Sequence, residues 1–254
     1  MKTSTVDRIV SAEVDHTRVL AGASLRRADH RFYLGMSIAV IIGTFAGFAR
    51  SYYFRSYFYA SGIHPVTQLH GLANTCWILL FFAQNALIAA GRRTLHRQLG
   101  WGIGILSLVI VPLNLMTGVV GARLNHLGHA PNKYASFLTF SVRNTLEFVM
   151  LVGLAIYFRS RPEIHKRFAL LAAVSLFAEA SIGRIPGLSF PLIALIVLAF
   201  YFAGPVYDWF TRRRVHIVYR WAIPIMLITG PLTPLTTVAA RAGLWRRFVD
   251  WLIS

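Results

Sequence analysis

Apolar runs close to 20 residues long alternate along this chain with short segments rich in Arg, Lys and His. A run of that length crosses roughly 30 Å of hydrocarbon at about 1.5 Å per helical residue. Seven stretches qualify: Phe32 to Ser51, Val66 to Ala90, Gly100 to Ala122, Ser136 to Phe158, Phe168 to Ile185, Leu188 to Phe210 and Trp221 to Ala240. None alternates polar and apolar residues with period 2, and in lipid only helices and closed barrels satisfy their own backbone polar groups. The pattern therefore predicts an all-α, polytopic transmembrane helical bundle of about seven spans. Residues 32–240 form that bundle, 1–31 precede it, and 241–254 follow it as an amphipathic interfacial tail. No Ser/Gly-rich linker marks a second folding unit.

Composition agrees with the pattern. Of 254 residues, 56% are hydrophobic and 14% charged, against about a quarter charged in a soluble domain. The mean hydropathy is +0.56, which argues against an ordinary water-soluble enzyme. The net charge of +17 would point to nucleic acid in a soluble protein. Here the basic residues stand between apolar runs, so we read them as topology signals and contacts to anionic lipid, with no nucleic-acid partner. The single cysteine, Cys76, lies inside an apolar run and excludes an intrachain disulfide or a cysteine-rich metal site. Residues 1–31 lack the apolar core of a secretory signal, so the N-terminal segment is expected to be retained. Within it, residues 7–23 read equally well as an amphipathic surface helix or as a solvated tail.

Counting Lys and Arg orients the spans. Segments on the N-terminal side carry 17 of the 26, the opposite side carries 8, and Arg143 lies within a span. The positive-inside rule then places the N-terminus in the cytoplasm and, with seven spans, the C-terminus outside. Tyr52, Tyr53, Tyr57 and Tyr59 crowd the outer end of the first span, while Trp101, Tyr157, Trp209 and Trp221 mark inner ends. Pro231 and Pro234 interrupt the last run, so a full span and a re-entrant turn with the tail returning inside both stand open.

Ionisable groups inside a bilayer are costly and need partners or water. Glu147 and Glu179 are the acids well inside spans, with Arg143 and Arg184 as basic counterparts. Arg143 and Glu147 are i,i+4 neighbours and can pair. His70 and Asn74 share the same spacing in the outer third of the second span, and Asn114 and Thr117 lie past the middle of the third. These residues predict a polar chamber between spans two and five that opens outward. A closed, charge-neutral network that only fixes helix rotation is the competing reading.

The histidines raise a different chemistry. His96 and His165 each follow a basic loop and precede an apolar helix, as if the two hairpins were a weak internal repeat. With His70 and His126 they are candidates for a haem b held between imidazoles, although that needs two rings facing each other at one depth. Capping of helices or contact with lipid phosphate would equally explain His96 and His165. No metal-binding helix motif, phosphate loop, nucleophile elbow or nucleotide fingerprint occurs, so no enzyme activity can be named. Gly100, Gly102 and Gly104, and Gly118 with Gly121, read as small-residue packing faces.

The residues His70-Gly71, Trp77, Gln84, Gly91-Arg92, Leu95-His96-Arg97, Leu99-Gly100, His165-Lys166-Arg167 and Arg184 resemble a group of uncharacterised bacterial multi-pass inner-membrane proteins with an LHRxLG pattern. A looser similarity is to the cytochrome b561 superfamily. The resemblance implies a bacterial inner-membrane location and weight on His70, His96, His165 and Arg184, but lends no activity. Three functions remain in competition. One is a chamber of His70, Asn74, Asn114, Arg143, Glu147, Glu179 and Arg184 that binds or transports a small polar ligand or protons. Another is a redox module holding haem b, quinone or metal. The third is a structural or accessory subunit of a membrane complex, with a further copy or another subunit as partner.

Overall fold

The computed structural model describes residues 5–127, 134–230, 238 and 242–253, without the side chains of 5–19, 21, 125, 126 and 179, and contains no strand among them. Helix α1 runs from Thr5–Phe48 and passes through a π-turn, Ala49–Tyr53, into the short α2, Arg55–Phe58. Then follow α3 (Pro65–Ala89), α4 (Arg93–Leu127), α5 (Tyr134–Tyr157), α6 (Pro162–Ile182), α7 (Phe190–Arg212), α8 (Ile217–Thr229) and α9 (Gly243–Ile253). Helix starts follow local chemistry. Proline stands in the first turn of α3, α6 and α7, where its missing N–H leaves no bond unmade. The imidazoles of His64 and His216 accept from the backbone N–H of Val66 and Val218 at 3.3 and 3.2 Å, capping α3 and α8. Gly91, at φ +73°, turns the chain between α3 and α4, a conformation that a side chain would strain.

Among the described residues, five helices are long and apolar enough to cross a membrane: Gly22–Tyr53, Pro65–Ala89, Arg93–Leu124, Tyr134–Tyr157 and Phe190–Arg212. The apolar helix α8 is shorter, at 13 residues. Outward surfaces are those of a protein solvated by hydrocarbon: Ile42, Ile105, Leu108, Leu146, Leu195 and Phe210 are each more than 60% exposed, far beyond what water tolerates as a continuous face. Pro231 and Pro234, on which the choice between span and re-entrant turn rested, lie outside the described residues. Helix α9 sits beside the end of α4 and the start of α5. There Val249 and Ile253 are buried with Ala122, Tyr134 and Leu138, and Trp245 Nε1 donates to Thr139 at 2.7 Å.

Helix α6 is the hub, in contact with α1, α5, α7 and α8. Every residue from Leu170 to Ala178 is buried, so neighbours cover the helix all round. Small residues let them approach. Gly47 of α1 lies against the Ser181 backbone, and Gly118 and Gly121 of α4 receive Ser141 and Phe137 of α5, as the spacing of those two glycines implied. Gly102, by contrast, meets nothing within 4 Å and Gly104 meets Ile156 only at 3.7 Å, so that stretch is not the tight face expected of it.

One end of the bundle, where α6 begins and α7 ends, is held by ion pairs; we call it the basic end and its opposite the far end. Arg167 and Asp208 both show no exposed surface. Arg167 Nε and Nη2 donate to the two Asp208 oxygens at 2.9 and 2.6 Å, a bidentate geometry that adds direction to attraction. Removing one partner of such a pair strands a buried charge, at a cost of about 3–5 kcal/mol. Asp208→Asn should therefore lower the thermal midpoint of detergent-solubilised protein sharply. A double Arg167→Met, Asp208→Leu variant should lose less than the sum of the single losses; strictly additive losses would show that the two side chains are not coupled.

Candidate functional site

At the far end α3, α4 and α5 are joined by neutral hydrogen bonds. Asn74 Nδ2 donates to the His70 carbonyl at 2.7 Å, lies 3.3 Å from His70 Nδ1, and reaches Asn114 Oδ1 on α4 at 3.4 Å. Ser141 Oγ donates to the Asn114 carbonyl at 2.7 Å, tying α5 to the same point. The expected i,i+4 pair is present on α5: Arg143 Nη1 donates to Glu147 Oε2 at 3.0 Å, with side chains 10% and 5% exposed. Asn144, next to Arg143, donates to the Ser175 carbonyl of α6 at 2.8 Å. Lower on α3, Trp77 Nε1 donates to Ser107 of α4 at 2.8 Å.

Arg184 follows the end of α6 on an exposed turn. It donates to the Ala180 carbonyl at 2.6 Å and stacks on Phe48, its guanidinium carbon 4.9 Å from the ring centre. It has no carboxylate partner among the described residues, and its charge acts on the nearby His70 ring. The structure thus gathers His70, Asn74 and Asn114 in one cluster, with Arg184 beside His70. Arg143 and Glu147 stand on the helix bonded to that cluster. The Glu179 and His126 side chains lie outside the described residues.

Sequence reading missed the basic end, because it assigned its charges to topology. Asp29 of α1 accepts from Lys166 at 2.6 Å, from Tyr207 at 2.7 Å and from Arg212 at 2.7 Å. Glu163 accepts from Lys166 at 2.6 Å and Arg167 at 2.8 Å. Arg212 also donates to Asp208 at 3.2 Å, and the His216 backbone N–H donates to the same carboxylate at 3.3 Å. Three acids and three bases thus balance across α1, α6 and α7. A signal was present in the sequence: Asp208 is an acid at the end of an apolar run, four residues from Arg212.

His96 and His165 come together near this end. Their ring centroids are 6.3 Å apart and the rings are nearly perpendicular, at 87°. His165 Nδ1 lies 2.7 Å from the Ala155 carbonyl of α5, to which it donates as N–H. Among the described residues, buried His96 Nδ1 has no hydrogen-bond partner, nor has either amide atom of Gln84 on α3. By its bond to Ala155, His165 caps the last turn of α5, one of the roles considered for it, while His64 and His216 cap the starts of α3 and α8.

His216 makes the basic end sensitive to pH. Its cap needs an unprotonated Nδ1, and burial, with the nearby Arg167 charge, holds its pKa below the ordinary imidazole value against the opposing pull of Asp208 and Glu163. A folded-state pKa below the unfolded one means the unfolded chain binds more protons. The stabilisation is then complete above about pH 6.5 and is lost as the pH falls through the folded value. Thermal midpoints measured between about pH 5 and pH 8 should fall on the acid side in the parent chain and fall less in His216→Asn, which keeps a capping group without the titration. Equal slopes would remove His216 from the pH response.

No family model, curated protein or solved structure matches this chain.

Proposed function

We propose that this integral membrane protein binds a small polar ligand, or passes protons, through the far-end cluster of His70, Asn74, Asn114, Arg143, Glu147 and Arg184. The observation that carries the reading is the junction at Asn114, where hydrogen bonds from α3 and α5 converge beside His70. Arg184 stands near that junction with a charge that no carboxylate among the described residues neutralises. An exposed arginine with no carboxylate partner among the described residues attracts anionic or strongly polar groups, and the imidazole beside it offers the same ligand a hydrogen-bonding edge. A network serving only to lock helix rotation would leave no such charge over.

The same reading sets the protein in a bacterial inner membrane with its basic end in the cytoplasm, touching anionic lipid. Support comes from the 17-to-8 distribution of Lys and Arg and from Trp101, Tyr157, Trp209 and Trp221, all more than half exposed, as residues of an interfacial belt should be.

Orientation is checked by cysteine labelling after replacement of Cys76. Exposed Ser160, at the basic end, should label from the cytoplasm, and exposed Ser189, at the start of α7, from outside; the reverse pattern would overturn the orientation. The chamber is checked in proteoliposomes carrying a pH-sensitive dye. His70→Gln keeps hydrogen-bonding capacity and removes the imidazole, so it should fold and lower proton flux or ligand binding relative to the parent. A folded variant with parent-level flux and binding would exclude His70 from the site.

A further inference from the structure

The pairing of His96 with His165 is not used by the far-end site, and its chemistry is distinct. Their ring centroids lie 6.3 Å apart. A metal ion bound to one nitrogen of each ring, at about 2.0–2.1 Å, would set the centroids roughly 6.4 Å apart in a linear arrangement and about 5.2 Å apart at a tetrahedral angle. The observed spacing therefore matches two imidazoles on opposite sides of one ion.

The remaining nitrogens fit this arrangement. His165 spends Nδ1–H on the Ala155 carbonyl, which fixes the tautomer and leaves Nε2 with a lone pair. A second hydrogen bond of this kind, from the far side of the ring to a backbone carbonyl, is the habit of metal-binding histidines. The His96 ring lies within reach of the Gln84 backbone carbonyl, while its buried Nδ1 has no partner. Gln84 itself is 7% exposed, with neither amide atom hydrogen-bonded. Its amide nitrogen comes to 4.0 Å of where a Cβ on Gly100 would be, one turn beyond His96. A buried amide left unsatisfied costs about 1–3 kcal/mol, a cost that a bound group would relieve.

We propose that His96 and His165 form a copper(I) site at the basic end, each giving one imidazole nitrogen, with the Gln84 amide oxygen as a further donor. The choice of ion follows from charge and coordination number. Among the described residues no group of three His, Cys, Asp or Glu side chains exists to hold a metal, so a tetrahedral zinc ion would lack ligands. Arg97 follows His96, and its cation penalises a divalent ion more than a monovalent one, while Lys166, next to His165, is already paired with Asp29 and Glu163. Copper(I) accepts two nearly opposed nitrogen donors, and imidazole suits copper.

The test uses the full chain in detergent, in a Cys76→Ser background so that the exposed thiol cannot bind the ion. The reduced protein is titrated with copper(I) against a chromophoric copper(I) chelator. One copper(I) per chain is expected. Because loss of an outer partner alone commonly weakens metal binding about 10–100-fold, His96→Gln and His165→Gln should each weaken it by more than about 100-fold, while His70→Gln leaves it unchanged. Should His165→Gln fail to fold, the His96→Gln result and X-ray absorption of the copper-loaded parent decide, the latter reporting two or three light-atom ligands and no sulfur. Substoichiometric copper, binding that survives both histidine substitutions, or a haem Soret band in the purified parent would each overturn the assignment.

Discussion

An arginine without exposed surface, clamped by an aspartate equally buried, fixes the arrangement of this bundle. Arg167 stands in the second turn of α6 and Asp208 in the last turns of α7; neither can be left alone, because an unpaired ion so placed costs several kcal/mol. Around them Glu163, Lys166, Asp29 and Arg212 complete a set whose charges cancel. The net gain over well-packed apolar residues is small in such sets. What the set supplies is register, since no other rotation of α6 brings Arg167 to Asp208 while Lys166 meets Asp29.

That rotation has consequences away from the ion pairs. Successive residues on a helix project about 100° apart, so directing Arg167 toward α7 and Lys166 toward α1 leaves His165 on the side of α4 and α5. There it bonds the Ala155 carbonyl and faces His96. Further along the same helix, the uninterrupted buried stretch from Leu170 to Ala178 accepts Gly43 and Gly47 of α1 against Phe177 and Ser181. The far end then closes through weaker, uncharged contacts at Asn114, which the ion pairs do not constrain directly.

The helices themselves were legible from apolar run length, and so were the contacts set by spacing within one helix: Arg143 with Glu147, His70 with Asn74, and the Gly118 and Gly121 face. Contacts between helices were not. Arg167 and Asp208 lie 41 positions apart, and each stands at the end of an apolar run, where a basic residue reads as a topology signal. Placing the start of the fifth span at Phe168 left Arg167 in a loop, one residue short of its buried position. His96 and His165 matched each other in local sequence, yet only the packing of both α4 and α6 against α5 brings the rings together. Of the expected neutral quartet, the Arg143–Glu147 pair is seen; the described contacts of Arg184 are a backbone carbonyl and an aromatic ring, and the Glu179 side chain lies outside the described residues.

The two ends therefore hold polar groups in different energetic states. At the basic end every charge of the network is answered by another, and a ligand competing for those charged groups would have to break pairs already made in a low-dielectric setting, where each is worth most. At the far end Arg184 is exposed and the hydrogen bonds around Asn114 are neutral, two of them at 3.3 and 3.4 Å and so weak. Exchanging such bonds for bonds to a ligand costs little, since a neutral pair contributes only about 0.5–1.5 kcal/mol net. A saturated ionic end can hold the helices in register while the loosely bonded end around Asn114 can exchange hydrogen-bond partners at little cost.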